Sequence, residues 1–170
     1  MNTVTLRKVV IYMFFPVVIL LNVFVGLEMA KLARKGGCSC CGIKVINMGD
    51  SLWGLIGCIT CGGCPCFSVT PGLGSGFIVL YRKVPLGILF HEVAHITYPD
   101  ARGAMNPEAA HTGKGARFEH QADKWAIRKL VDSGMSSQIP EFIKFLEKAP
   151  GDGPYRANLL KRYMRRYSIA

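Results

Sequence analysis

The sequence predicts an α+β fold, mostly helical with a small sheet, preceded by one N-terminal transmembrane helix. Three observations predict it. Residues 9–27, VVIYMFFPVVILLNVFVGL, run for nineteen residues without a charge. Residues 77–84, FIVLYRKV, are dense in branched and aromatic side chains and read as a strand. Beyond them, apolar residues recur at helical spacing in stretches that stop at proline or glycine.

The N-terminal run nearly covers a hydrocarbon core of ~30 Å at ~1.5 Å per residue. Pro16 and Asn22 interrupt it only mildly, because a membrane helix can re-satisfy the groups they disturb. A secretory leader would carry a shorter apolar stretch of ~7–15 residues ending at small residues. Here the run ends in EMAKLARK, which offers no such cleavage site, so an uncleaved single-pass anchor is expected. Arg7 and Lys8 precede it, whereas Lys31, Arg34 and Lys35 follow it. That excess leans toward a cytoplasmic C-terminal domain.

Three regions result: an anchor over 1–36, a cysteine-rich segment over 37–66 and a third domain over 67–170. All seven cysteines lie between Cys38 and Cys66. Cys38 with Cys41, and Cys58 with Cys61, form two C-x2-C pairs with the spacing of a four-thiolate zinc ribbon. Cys40, Cys64 and Cys66 are left over, so disulfides, acylated thiols beside a membrane and plain buried thiols stay open. No charge occurs from Ser51 to Tyr81, a stretch expected to pack against the following domain and to end in the strand.

A helix opens at Pro85, where proline is favoured. It carries Leu86, Leu89, Phe90, Val93 and Ala94 as its apolar stripe and ends at Pro99. DARGAMNPEAAHTGKGA reads as a loop. A second helix starts near Arg117, buries Phe118, Ala122, Trp125, Ala126 and Leu130, and is capped by Gly134. A third, from Ser137 and Pro140, turns Phe142, Ile143 and Leu146 inward. A basic helix closes the chain. Its segment, Tyr155 to Ala170, has five basic residues and no acid, half of the net charge of +10. Such an end is either a solvated helix face or a surface for an anionic membrane or nucleic acid, and a membrane anchor sits poorly with the last.

The chemistry lies in HEVAH. His91 and His95 are four apart, so on a helix they share a face and both imidazoles can reach one ion. Glu92 stands beside them as a candidate base for a water whose pKa zinc lowers to about 7. H-E-x-x-H is a metalloprotease signature for these reasons. A third ligand is needed. Glu119 and Asp123, also four apart, supply a carboxylate for the ion and one for a histidine's second nitrogen. Ala122 and Ala126 leave room for two helices to approach. His111 and His120 compete with Glu119; His120 lies ~100° around the helix from it. Tyr98, His111, His120 and Tyr155 are candidate donors to a developing oxyanion.

HEVAH followed by EHQADKWA resembles the gluzincin metallopeptidases, over roughly Gly76 to Val131. The second motif is similar to that of the HtpX and CAAX-prenyl endopeptidase families. The gap of 23 residues between His95 and Glu119 is closer to the ImmA/IrrE-type peptidases. The resemblance implies a zincin-like domain holding Zn2+ on His91, His95 and Glu119, with Glu92 catalytic and a protein or peptide as substrate. An SprT-like protease with His111 as third ligand is the competing arrangement. A non-catalytic, zinc-stabilised membrane adaptor is the competing class, and the intact Glu92 argues against it.

Overall fold

The protein is described here by a computed structural model covering residues 3–34, 39–49, 51–60, 65–72, 75–101 and 114–169. In chain order its elements are α1 (Thr3–Arg34), β1 (Ser39–Cys40), β2 (Ile43–Asn47), α2 (Leu52–Thr60), β3 (Cys66–Gly72), β4 (Ser75–Leu80), α3 (Leu86–Thr97), α4 (Lys114–Asp132), α5 (Ile139–Lys148) and α6 (Gly153–Arg166). A 3-10 turn, Pro99–Ala101, follows α3, and another, Ser136–Gln138, precedes α5. The four strands form one sheet in the order β1-β2-β4-β3, with β1 antiparallel to β2 and Cys40 opposite Ile43. The architecture is α+β and mostly helical, as the sequence predicts.

The chain divides into two compact units. The first comprises Met1–Cys38, Ile46–Cys66 and Val79–Lys83. In it, α1 leaves Val17, Val18, Ile19, Leu20, Val23, Phe24 and Leu27 exposed. Its window Pro16–Ala33 is long and apolar enough to cross a membrane. Asn22 Nδ2 donates to the Val18 carbonyl at 2.8 Å, so this polar side chain finds its acceptor within the helix. The helix α2 packs on α1, where Phe24 and Trp53 stack with centroids 5.4 Å apart. The uncharged stretch thus holds a helix that its glycines and cysteines obscure. Ser51 caps it, its Oγ accepting the Gly54 N–H at 3.0 Å. The strand expected over 77–84 stops at Leu80. Arg82 and Lys83 are exposed and solvated, and the Tyr81 N–H donates instead to the Pro65 carbonyl at 2.9 Å.

The second unit comprises Ser39–Val45, Phe67–Ile78 and Val84–Ala170. Its core is built around α3, which buries Ile88, Phe90, Val93, Ala94 and Ile96. The inner face of α4 carries Ala122, Ala126, Ile127 and Leu130, all fully buried. Ala94, Ala101 and Ala122 pack together with Tyr98 and Trp125 around them. These small side chains let α3 and α4 approach closely. On its other side α3 meets α5 at Gly87, where an added Cβ would stand 2.4 Å from Phe142 Cγ. The α4 terminus is a Schellman arrangement. Gly134 has φ +69°, its N–H reaches the Val131 carbonyl at 2.9 Å, and the Met135 N–H reaches that of Leu130 at 2.8 Å. The closing helix α6 turns Ala157, Leu160 and Tyr163 inward.

Candidate metal centre

Three helices of the second unit build one polar cluster inside this core. Four-residue spacing on α3 stacks the two histidine rings on one face, centroids 4.6 Å apart and edge to face. His91 Nε2 and His95 Nε2 come within 3.0 Å of each other. From α4, Glu119 brings Oε2 to 3.2 Å from His91 Nε2 and Oε1 to 3.4 Å from His95 Nε2. Ligand atoms of His91, His95 and Glu119 all lie within 4.8 Å of one another, the one such group among the described residues.

The outer nitrogens decide the tautomers. His95 Nδ1 lies 2.6 Å from the Ala101 carbonyl, which can only accept. His91 Nδ1 lies 2.8 Å from Asp123 Oδ1, a carboxylate oxygen. Both Nδ1 atoms therefore carry hydrogen, and in neutral rings both Nε2 atoms turn lone pairs inward. Two lone pairs and a carboxylate then converge, an arrangement that a cation satisfies. Either a proton on His91 or a metal ion fills that role, and two imidazoles plus a carboxylate are a donor set that zinc accepts. Carboxylate and carbonyl partners on the outer nitrogens are what metal-bound histidines take.

The electrostatics agree. Burial lowers the affinity of the His91 ring for a second proton, but the Asp123 charge, the hydrogen bond to it and the Glu119 carboxylate outweigh burial and push its pKa up to about 10. Burial acts to raise Glu119, yet hydrogen bonds and charge from His91 and His95 hold it well below the usual carboxylate range. Asp123 is also held low: burial again opposes, and His91 and Arg156 prevail.

Arg156 is the residue that sequence reasoning missed. It lies in the first turn of α6. Its Nε and Nη2 donate to Asp123 Oδ2 and Oδ1 at 2.9 and 2.6 Å, and its Nη1 reaches Glu119 Oε2 at 2.9 Å. Nη2 also stands 3.4 Å from His91 Nδ1, a donor beside a donor. Two signals in the sequence could have found it. A cation in the first turn faces the positive end of the helix dipole and calls for a nearby anion. Arg156 also precedes the buried Leu160 and Tyr163 by four and seven residues, which puts it on the inward face.

The remaining candidates divide. Glu92 is buried on α3 next to His91. Asp123 is fully buried, with Oδ1 2.8 Å from His91 Nδ1. Tyr98 is half-buried beside the Ala94–Ala122 contact, whereas Tyr155 is 62% exposed. His120 is half-buried with an unpartnered Nδ1, and burial holds its pKa below the ordinary value. His111 lies outside the described residues, as do Cys38 and Cys61. Cys41 is exposed in the β1–β2 turn and Cys58 is buried in α2; the two belong to different units, and both are free thiols. A groove of about 860 Å³ between α5 and α6, walled by Ile139, Ile143, Met164 and Ile169, includes none of the clustered residues. No protein-family model, no curated protein and no solved structure matches this chain.

Proposed function

We propose that the chain is a membrane-anchored zinc endopeptidase of zincin-like, gluzincin type. The observation that carries this reading is the convergence of His91 Nε2, His95 Nε2 and a Glu119 oxygen, with both Nδ1 atoms already engaged. His91, His95 and Glu119 would hold zinc, which when bound would polarise a peptide carbonyl and acidify a water. Glu92, beside His91 on the same helix, takes the proton of the attacking water on its carboxylate and returns it to the leaving amine nitrogen. Asp123 fixes the His91 ring and raises its basicity through Nδ1. A convergent Glu119 on α4 favours this ligand set over one using His111.

The anchor is α1, whose apolar side chains are exposed and whose length suffices to cross a bilayer. Lys31 and Arg34 at its C-terminal end support a cytoplasmic second unit. The substrate class is a protein or peptide segment, which water attacks at a backbone amide.

The test is metal-dependent hydrolysis. Full-length protein in detergent should cleave an unfolded protein substrate, lose that activity to a chelator and regain it with a stoichiometric amount of zinc. Cleavage that survives complete removal of metal would sink the reading.

A further inference from the structure

We infer that Arg156 is a positioning residue that makes Glu119 bind metal through one carboxylate oxygen, so that a coordination position stays open for water. The inference rests on the metal-centre reading above. The Arg156 guanidinium is committed in two directions. One edge, Nε and Nη2, forks onto both oxygens of the buried Asp123. That fork fixes the guanidinium plane and aims Nη1 at Glu119 Oε2, 2.9 Å away. Asp123 in turn accepts from His91 Nδ1. His91, Asp123, Arg156 and Glu119 thus close a loop of polar contacts that links α3, α4 and α6 and returns to His91 Nε2.

Within that loop the two oxygens of Glu119 differ. Oε2 is shared between Arg156 Nη1 at 2.9 Å and His91 Nε2 at 3.2 Å, while Oε1 faces His95 Nε2 at 3.4 Å. A carboxylate free at both oxygens can chelate an ion and fill two positions. One whose Oε2 already accepts a charge-assisted hydrogen bond from Arg156 keeps Oε1 as its stronger donor and fills one. Three single-atom protein ligands leave the fourth tetrahedral site for water, which a hydrolytic zinc site requires. Lysine cannot replace arginine here, because one ammonium cannot fork onto Asp123 and reach Glu119 at fixed angles.

The test uses full-length protein in detergent, loaded with one equivalent of Co2+, whose visible ligand-field bands are strong in tetrahedral sites and severalfold weaker with five ligands. Wild type should give the strong spectrum. Arg156→Lys should still bind one Co2+ but lose intensity severalfold as Glu119 becomes bidentate. Its kcat should fall about 10–100-fold, the range for groups behind a ligand, with KM little changed. An unaltered spectrum in Arg156→Lys overturns the inference, even if activity falls. If that variant does not fold by circular dichroism, Asp123→Asn unlocks the same fork from the other side and should give the same loss of intensity. Unfolding of both variants would assign Arg156 to holding the fold and also overturn the inference. Failure of wild type to bind Co2+ defeats the metal centre itself. Binding without hydrolysis defeats the peptidase reading and leaves the spectral comparison standing.

Discussion

Asp123 Oδ1 lies 2.8 Å from His91 Nδ1, and the carboxylate has no exposure to solvent. This contact makes His91 present Nε2, not Nδ1, to the interior of the cluster. Asp123→Ala should therefore weaken zinc binding without abolishing it, by about 10–100-fold. Competition against a chromophoric chelator measures the change; an affinity equal to wild type would remove Asp123 from the account.

The third ligand is tested by exchange of roles. Glu119→Ala should leave two histidines and yield protein with little or no zinc on purification, measured by elemental analysis. His111→Ala should retain one zinc per chain. The reverse pattern would assign the site to the SprT-like arrangement.

Metal binding should strengthen with pH. The folded, metal-free protein holds a second proton on His91 up to about pH 10, against an ordinary value of 6.5. The stabilisation that this protonated ring contributes is complete below 6.5 and is lost as pH rises through about 10. A metal ion must displace that proton, so its apparent affinity should rise about tenfold per pH unit across the neutral range. Zinc titrations at three pH values between 6.5 and 8.5 would show this slope. A flat or inverse dependence would contradict the arrangement of His91 between two carboxylates.

Packing supports the site from behind. Gly87 allows α3 to lie against Phe142, and a methyl group there would overlap the ring. Gly87→Ala should destabilise the second unit by about 1–3 kcal/mol through overpacking. Phe142→Ala should cost about 3–5 kcal/mol by leaving a cavity. Thermal unfolding of the two variants in detergent checks both values, and a neutral Gly87→Ala would disprove the close contact.

The anchor predicts resistance to washing. Full-length protein should remain with membranes through carbonate and high salt if, as proposed, α1 crosses the bilayer. Attachment through the basic α6 alone would be screened over ~8 Å at physiological ionic strength and released.

The polar cluster was legible because each half of it is local. His91 with His95, and Glu119 with Asp123, are pairs four apart, and helical periodicity alone puts each pair on one face. Ala122 announced that α4 could come close. Arg156 was harder to see because it is 33 residues from Asp123, and its role depends on how α6 docks, which no local pattern states. A run of five cations masked it as one more member of a solvated basic helix. The helix α2 was obscured for a different reason. Gly54, Gly57 and Cys58 lower its intrinsic propensity, and packing on α1 supplies what propensity lacks.

In the proposed mechanism Glu92 moves the proton while His91, His95 and Glu119 hold the ion. Hydrolysis of an unfolded protein by Glu92→Gln, compared with wild type at equal zinc content, tests it most directly. The amide retains shape and leaves the ligands in place but cannot accept a proton, so the account predicts one zinc per chain, an intact fold and a rate lower by about 10²–10⁴-fold. Cleavage by Glu92→Gln at the wild-type rate would contradict it.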